Sequence, residues 1–251
     1  MCIRDSRTPN HIDDLKHSPY LYGTPLLFPA NRVSGGKFFF GGKDYHLPIN
    51  EPLRNNHIHG LVYNAPFCIL EQKPDILKTL LVNSGEYFPL PFQLSVSTNL
   101  SEDGIYQELC LLNTGATELP ISLAFHTTFV EPDQFCVPIG KRYEWDDNFI
   151  PTGTMCTLNN REQSFVIGAK PDGTAISGYY TSCGNTAKIG NFSYTVHGFD
   201  HWTMYNGGGN QNFLCVEPQL GPVNSLNSGN APILAVGQQM NFKWMLRELE
   251  L

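Results

Sequence analysis

Short apolar and aromatic segments alternate with turn-forming residues along the whole chain. A two-glycine turn at 41–42 separates strand-like segments at 37–40 and 43–47, which predicts a β-hairpin. A three-glycine run at 207–209 lies between two further strand-like segments and predicts a second hairpin. This run does not favour a phosphate loop, because no helix pattern follows it and the G-x-G-x-x-G spacing is absent. The pattern therefore indicates strands joined by short loops.

A third turn signal, Asn-Thr-Gly at 113–115, lies between apolar segments at 106–112 and 119–130, and we expect it to close another hairpin. The last strand is predicted at 240–246. Residues 75–82 could imitate a helix, but their β-branched end fits a strand as well, and no helix longer than two turns is expected. No internal repeat, low-complexity tract or charged linker divides the chain. We therefore predict an all-β fold in a single domain.

Composition supports this fold class and limits the ligands. Hydrophobic residues make up 41% of the 251 positions and charged residues 16%, which is typical of a chain with a packed core. Aromatic residues reach 12%, beside 23 glycines and 18 prolines, as in a sandwich or barrel. The net charge of −7 argues against a nucleic-acid partner, which needs a basic face, and is compatible with a small neutral ligand.

The cysteines and the lack of targeting segments indicate the compartment. The chain has 7 cysteines and no C-x-x-C pair, which makes a structural zinc site improbable. Cys110 and Cys215 lie in apolar runs and are interpreted as buried free thiols, which favours a reducing compartment. No apolar stretch approaches the roughly 18 residues of a membrane span, and no signal peptide is visible. We expect a cytoplasmic protein without a membrane partner.

The first six residues differ in character from the rest. Residues 1–6 read MCIRDS, a string that resembles translated sequencing-adapter read-through in metagenomic assemblies. We therefore interpret 1–6 as non-native and assign the single domain to 7–251. On this interpretation the true start of the protein, with any targeting signal and first strands, is missing.

The segment 119–130 carries the first candidate for chemistry. Strand alternation puts Phe125 and Phe129 on an apolar face that belongs to the core. The opposite face carries Ser122, Ala124, His126 and Thr128, which are small or polar around one imidazole. Such a face leaves room for a ligand beside His126. The alternative is a solvent-facing histidine on an ordinary strand.

Glu217 is the second candidate. It ends the apolar run that contains Phe213 and Cys215 and precedes Pro218, which keeps its backbone extended. A carboxylate at this position is either exposed at the end of the strand or held in a pocket. In a pocket, partial burial raises its pKa and makes it a better base near neutral pH.

The first third of the chain offers possible binding groups. Asn31 and Arg32 are adjacent, and a guanidinium beside an amide can grip vicinal hydroxyl groups, although Arg32 could also be a surface cation. His57 and His59 fall on the same side of a predicted strand, where two imidazoles could share a metal. No third ligand lies at a recognisable spacing, which argues against one.

Taken in order, these pieces resemble the aldose 1-epimerase (galactose mutarotase) family, in particular its compact bacterial branch. The resemblance covers nearly the whole chain after residue 20. It rests on TPLLFPANRVSGGKFFFGGKDYHLPIN at 24–50, HIHGLV at 57–62, LPISLAFHTTF at 119–129, NFIPTG at 148–153 and FLCVEPQLGPVNSLN at 213–227.

The resemblance implies a large antiparallel β-supersandwich, here lacking its first strands, with a sugar in a cleft on one sheet. It implies that Glu217 is the base for the anomeric hydroxyl and His126 the acid for the ring oxygen of an aldohexose. Arg32 and His59 match the family's substrate-holding residues, and Asn31 lies beside Arg32 as in the family. Proton transfers suffice for this isomerase, so no metal or other cofactor is expected.

The sequence departs from the family pattern at one binding position. Family members commonly carry a binding Asp in a strand before the Glu, but residues 175–184 contain none, and Asp200 is the nearest substitute. The identity of the sugar substrate is therefore left undetermined by the sequence. A hexose-6-phosphate 1-epimerase would need a second cation near the cleft. The sequence does not assign one: Arg54 lies close to His59 in sequence, but Lys and Arg total only 16. A third hypothesis is a sugar-binding protein of the same fold that has no catalytic activity.

Overall fold

The computed structural model describes residues 7–249, so the interpretation of residues 1–6 falls outside the described chain. Short strands dominate, because apolar residues alternate with polar ones between frequent turns. The strands in chain order are β1 (Leu26–Leu27), β2 (Arg32–Ser34), β3 (Lys37–Phe40), β4 (Lys43–His46), β5 (Asn56–Ile58), β6 (Cys68–Gln72), β7 (Ile76–Asn83), β8 (Phe92–Leu100), β9 (Gly104–Asn113), β10 (Leu119–Pro120), β11 (Ala124–Phe125), β12 (Thr128–Val130), β13 (Phe135–Cys136), β14 (Ile139–Trp145), β15 (Pro151–Cys156), β16 (Ser177–Ser182), β17 (Thr186–Ile189), β18 (Phe192–His197), β19 (His201–Tyr205), β20 (Phe213–Gln219), β21 (Ile233–Leu234) and β22 (Gln239–Glu248).

Three α-helices interrupt the strands, namely α1 (Ile12–His17), α2 (Asn160–Ile167) and α3 (Ser225–Ser228). The side chain of Asn159 accepts from the backbone N–H of Glu162, and the side chain of Glu162 accepts from the backbone N–H of Asn159. This capping box begins α2, which the strand pattern did not predict. Two short 3-10 helices are also present, at Pro52–Arg54 and Val62–Asn64. Within residues 7–249 no helix is long and apolar enough to cross a membrane.

Two eight-stranded antiparallel sheets form the body of the molecule. The front sheet has the order β1-β11-β20-β19-β16-β14-β15, with β12 also paired to β20. The back sheet has the order β13-β17-β18-β22-β9-β8-β7-β6. The predicted antiparallel β-sandwich is confirmed.

Aromatic side chains fill the space between the sheets. Phe125 of the front sheet meets Trp244 of the back sheet edge-on, with 6.2 Å between the ring centroids. Phe129 meets Tyr194 in the same manner at 5.9 Å. Edge-to-face contacts of this kind stabilise a core beyond the area that they bury. The inner face of the 119–130 segment thus packs in the core, and its other face is the one that can contribute to a binding site.

Both glycine hairpins and the last strand match the prediction. β3 pairs with β4 around Gly41-Gly42, and β19 pairs with β20 around Gly207-Gly208-Gly209. The segment at 75–82 is strand β7, and the last strand is β22, slightly longer than expected. The second hairpin has a functional consequence, because it brings β20 into the middle of the front sheet.

The hairpin predicted at 113–115 is wrong. β9 stays in the back sheet, whereas the chain after it joins the front sheet as β11 and β12 on β20. The Asn113 side chain explains the crossing, since its amide donates to the carbonyls of Thr117 and Leu234 and its oxygen accepts from the N–H of Gly115. An asparagine can stabilise a loop that leaves one sheet for another as readily as the tight turn of a β-hairpin.

Candidate active site

The front sheet carries an open cleft of about 730 Å³. We call the lining residues of β16, β19 and β20 and of the break between β11 and β12 the floor, and the lining residues before residue 60 together with Phe149 the rim. Six residues singled out from the sequence line this cleft, namely Asn31, Arg32, Arg54, His59, His126 and Glu217.

Glu217 lies near the end of β20 and is 2% exposed. Its Cα is paired with that of Thr203 on β19, and both residues line the cleft. Of the two positions that the sequence left open, an exposed strand end and a pocket, the carboxylate occupies the pocket. The following Pro218 keeps this residue in extended geometry, as its position before proline predicts.

His126 lies in the break between β11 and β12 and is 4% exposed. Its backbone N–H donates to the carbonyl of Pro25 instead of to β20, so the strand opens at this residue. The next carbonyl, that of Thr127, accepts from the N–H of Val216 and restores the pairing. This arrangement holds the imidazole over β20, where its Nε2 lies 3.4 Å from Oε1 of Glu217.

Burial governs the protonation of this pair. It raises the pKa of Glu217 to about 8. The positive charge of Arg32 lowers this pKa, but by less than burial raises it. Burial also lowers the pKa of His126 to about 4. Between these values the pair holds one proton, which belongs to the pair as much as to either residue. A shift of that proton across the contact converts a carboxylic acid beside a neutral imidazole into a carboxylate beside an imidazolium.

Arg32 is fixed by a carboxylate that the sequence did not single out. Its Nε and Nη2 donate to the two carboxylate oxygens of Glu51, both at 2.8 Å. Its Nη1 donates to the hydroxyl of Tyr179 at 2.7 Å and reaches Oδ1 of Asn31 at 3.4 Å. A guanidinium held at every nitrogen presents its remaining N–H groups in a fixed direction. The arginine is therefore a preorganised donor at the cleft and not a free surface cation.

His59 follows the end of β5 in a left-handed conformation, with φ of 66°. Its N–H donates to the carbonyl of Asn31 at 2.8 Å, which ties the two rim segments together. The next residue is Gly60, where a Cβ would collide with the carbonyl of Phe28, so only glycine permits this close approach. Burial places the pKa of His59 well below its ordinary value, and repulsion from His126, when that ring is protonated, and from the Arg32 guanidinium lowers it further.

His57 does not join the cleft. It is fully buried, and its Nδ1 lies 2.6 Å from the carbonyl of Pro48. The left-handed turn at His59 separates the two imidazoles, which strand alternation had placed on one side. The described residues contain one cluster of three potential metal ligands, and it holds neither His57 nor His59: its members are His126, Cys215 and Glu217.

Tyr179 lies in the stretch at 175–184, where the family's binding Asp was sought. The residue lines the cleft beside Arg32, and burial raises the pKa of its phenol to about 12. Asp200 does not line the cleft, since its carboxylate accepts from Nδ1 of His201 and from the N–H of Gly221. No sequence pattern distinguishes Tyr179 from the adjacent Tyr180, whose hydroxyl instead donates to Glu162.

An N-terminal arm, defined here as residues 7–25, covers one side of the cleft. It is anchored to Thr128, whose carbonyl accepts from the N–H of Arg7 and whose hydroxyl donates to the carbonyl of Tyr20. The ring of Tyr20 lies 4.5 Å from that of His59 and 6.0 Å from that of His126, centroid to centroid. This arm, which the sequence did not mark as functional, shields both imidazoles from water.

Known structures with this architecture define the galactose mutarotase-like class of β-sandwich proteins. A galactose mutarotase-like protein from Clostridium acetobutylicum superimposes with a TM-score of 0.89 at 23% identity, over 98% of this chain and 86% of that protein. The galactose 1-epimerase of Lactobacillus acidophilus superimposes with a TM-score of 0.70 at 16% identity, over 98% of this chain and 86% of that protein.

The chain belongs to the aldose 1-epimerase family, because residues 7–247 match that family's model. The uncharacterized protein YihR of Escherichia coli K12 is 26% identical over 224 residues, which are 82% of this chain and 72% of YihR. The galactose mutarotase of Mus musculus is 25% identical over 207 residues, which are 74% of this chain. The match spans about half the length of the mouse protein, 52%.

Proposed function

We propose that the protein is an aldose 1-epimerase that interconverts the α and β anomers of a free hexose. The observation that carries the proposal is the contact between His126 and Glu217 on the floor of a sugar-sized cleft, with Nε2 and Oε1 3.4 Å apart. An acid and a base this close can serve the ring oxygen and the anomeric hydroxyl of one pyranose, because both oxygens are bonded to C1.

The proposed reaction consists of two proton transfers and one bond rotation. Glu217 accepts the proton of the anomeric hydroxyl, and His126 donates a proton to the ring oxygen as the bond from C1 to that oxygen breaks. The open-chain aldehyde rotates about C1–C2, and the reverse transfers close the other anomer. The active form of the pair, a carboxylate beside an imidazolium, has the same proton count as the neutral form, so it is reached without protons from solvent.

Arg32, His59 and Asn31 are proposed to hold the sugar. Arg32 already has its orientation fixed by Glu51, so it loses little side-chain entropy when a hydroxyl group replaces water at its free N–H groups. His59 lines the cleft beside Asn31, to whose carbonyl its backbone N–H donates. Since the described cysteines are free thiols, we also propose the cytoplasm or another reducing compartment as the location.

Polarimetry on fresh α-glucose and α-galactose tests the proposal. The wild type is expected to speed mutarotation of at least one sugar above the uncatalysed rate. A Glu217→Gln variant purified in the same way is the control for contaminating host enzyme. Sugar binding by the wild type, measured calorimetrically, without any acceleration would instead identify a silent sugar-binding protein.

One observation supports a second candidate, a hexose-6-phosphate 1-epimerase. Arg54 also lines the cleft, with Nη1 3.2 Å from Oε1 of Glu51 and its guanidinium 4.4 Å from the ring centre of Phe149. Two guanidinium groups share the single carboxylate of Glu51, so this rim carries a net positive charge that could meet a phosphate.

The Arg54→Ala variant separates the two candidates. If the substrate is a hexose 6-phosphate, the variant should raise KM for glucose 6-phosphate and leave KM for glucose unchanged. Equal effects on both sugars, or none on either, would exclude a phosphate-binding role for Arg54.

A further inference from the structure

The face of β20 that carries Glu217 also carries Cys215, because the two residues are two positions apart on one strand. Across from them, His126 and Thr128 have the same spacing, and the Cα atoms of Thr128 and Cys215 are paired. The ligand atoms of His126, Cys215 and Glu217 all lie within 4.8 Å of one another. A thiol, an imidazole and a carboxylate thus converge, and the imidazole and the carboxylate line the cleft.

We propose that this cluster is a binding site for a soft divalent cation, Zn²⁺ in particular, and that its occupation blocks the cleft. Ligand atoms around tetrahedral Zn²⁺ lie about 3.3–3.8 Å apart, given metal–ligand distances near 2.0–2.3 Å. Nε2 of His126 and Oε1 of Glu217 already have this separation, at 3.4 Å. A movement of the Cys215 side chain by about 1 Å would complete a three-ligand set and leave the fourth position of the cation open.

The donor set selects the cation. Thiolate and imidazole are ligands of Zn²⁺ and Co²⁺, whereas Mg²⁺ and Ca²⁺ require oxygen ligands in larger number. All three residues are buried, at 0–4% exposure, so the cation would be shielded from competing water and thiols.

The surroundings indicate reversible and not structural binding. The thiol of Cys215 lies 3.4 Å from the hydroxyl of Thr128, which itself donates to a backbone carbonyl, so the site must lose a proton before it holds a metal. The Nδ1 atom of His126 makes no hydrogen bond of good geometry, although the backbone of Tyr20 is close enough to interact with the ring. Metal-binding histidines usually donate from their second nitrogen to a well-placed acceptor, which strengthens the site, and that support is weak here.

Cobalt titration tests the site without reference to sugar chemistry. Reduced, tag-free, full-length protein is titrated with Co²⁺ under anaerobic conditions, and the thiolate-to-cobalt charge-transfer absorption is followed in the near ultraviolet. We expect a band that saturates at one Co²⁺ per chain and is bleached by Zn²⁺. Cys215→Ser should abolish it, and Cys215→Ala is the replacement if the serine variant does not fold. Cys110→Ala, which removes a thiol of the back sheet, is the matched control and should keep the band.

A second readout is inhibition. Zn²⁺ should slow mutarotation in competition with sugar, and Cys215→Ser should weaken this inhibition by at least about tenfold, relative to the same variant without metal, since even supporting partners of metal ligands cost 10–100-fold when removed. No saturable band in the wild type, or an equal band in Cys215→Ser, would overturn the proposal. A cobalt band in a protein without mutarotase activity would support the metal site and refute the proposed function.

Discussion

Nε2 of His126 lies 3.4 Å from Oε1 of Glu217, and both side chains are almost completely buried. Neither residue would be stable there as an isolated charge, because burial raises the pKa of the acid and lowers that of the base. Together they hold one proton over a wide pH range. The pair is therefore poised between a neutral and a zwitterionic form, which differ only in the position of that proton.

The first prediction concerns the pH dependence of kcat/KM. The shared proton is lost above about pH 8, and a second proton binds below about pH 4. We therefore expect a bell-shaped profile with limbs near these two values, after subtraction of the uncatalysed rate. Polarimetry between pH 3.5 and 9.5 measures it. A rate that keeps rising through pH 9 would show that the pair does not need its proton.

The second prediction separates the two proposed catalytic groups. Removal of a positioned acid or base typically costs about 10²–10⁴ in rate, so Glu217→Gln and His126→Asn should each lower kcat by that order. KM should change little for Glu217→Gln, because the amide keeps the shape of the carboxylate. The double variant should lose less than the product of the two single losses, since both groups act in one cycle. Near wild-type turnover by Glu217→Gln would exclude Glu217 as the base.

The third prediction is that Glu217 destabilises the fold at alkaline pH. Its pKa is 4.5 in the ordinary state and about 8 in the folded protein, so between these values the folded chain binds more protons than the unfolded chain. The free energy of unfolding must then fall as pH rises through this window. Glu217→Gln should therefore be stabilising, and by at least about 1 kcal/mol more at pH 9 than at pH 5, which is about 2–4 °C in Tm.

Thermal unfolding of wild type and variant at both pH values checks this, because the contributions of titratable groups far from residue 217 cancel in the difference. Glu102→Gln, at an exposed carboxylate, is the control and should shift Tm equally at both pH values. A pH-independent effect of Glu217→Gln would mean that the carboxyl group is not held in its protonated form by the fold.

The fourth prediction concerns the support of Arg32. Arg32→Ala removes donors that are expected to grip hydroxyl groups in the ground and transition states alike, so the loss should appear mainly in KM. Glu51→Gln should raise KM in the same direction but less, because the amide keeps one acceptor for the guanidinium. Steady-state kinetics on the best sugar measure both. A decrease in kcat without a change in KM would contradict a binding role for Arg32.

The fifth prediction concerns Tyr20, whose ring lies beside the rings of His59 and His126. Tyr20→Ala should admit water to His126 and move its pKa upward towards the ordinary value of 6.5. The acid limb of the pH profile should then move upward as well. Tyr20→Phe keeps the ring and should leave the limb in place. NMR titration of the His126 ring reports the pKa directly, and the same shift in both variants would exclude shielding by the ring.

Local pattern was sufficient to predict the strands and the inner face of the 119–130 segment. Alternation assigned Phe125 and Phe129 to the core and His126 to the other face, and the structure agrees. The meeting of His126 with Glu217 could not be derived in this way. It depends on the pairing of β12 with β20, which are distant in sequence, and only the resemblance to a known family implied it.

Other parts of the site had no sequence signal at all. Glu51 lies in a loop without periodicity, and nothing in its neighbours indicates that it binds Arg32. Tyr179 and Tyr180 are chemically identical neighbours, so the choice of face depended on the register with β19. The turn at Asn113 was misread because the same residue types serve turns within a sheet and crossings between sheets.

The cleft has a floor and a rim of different origin. Glu217 lies on β20 in the middle of the front sheet, and His126 lies in the break between β11 and β12, which both pair with β20. Arg54 and Phe149 lie in a 3-10 turn and a loop that contribute nothing to that pairing. Substitutions in the rim can therefore alter which sugar enters without moving the proton-transfer groups. A directed-evolution campaign for new specificity has an obvious target in these loops, and natural divergence within the fold is free to explore the same positions.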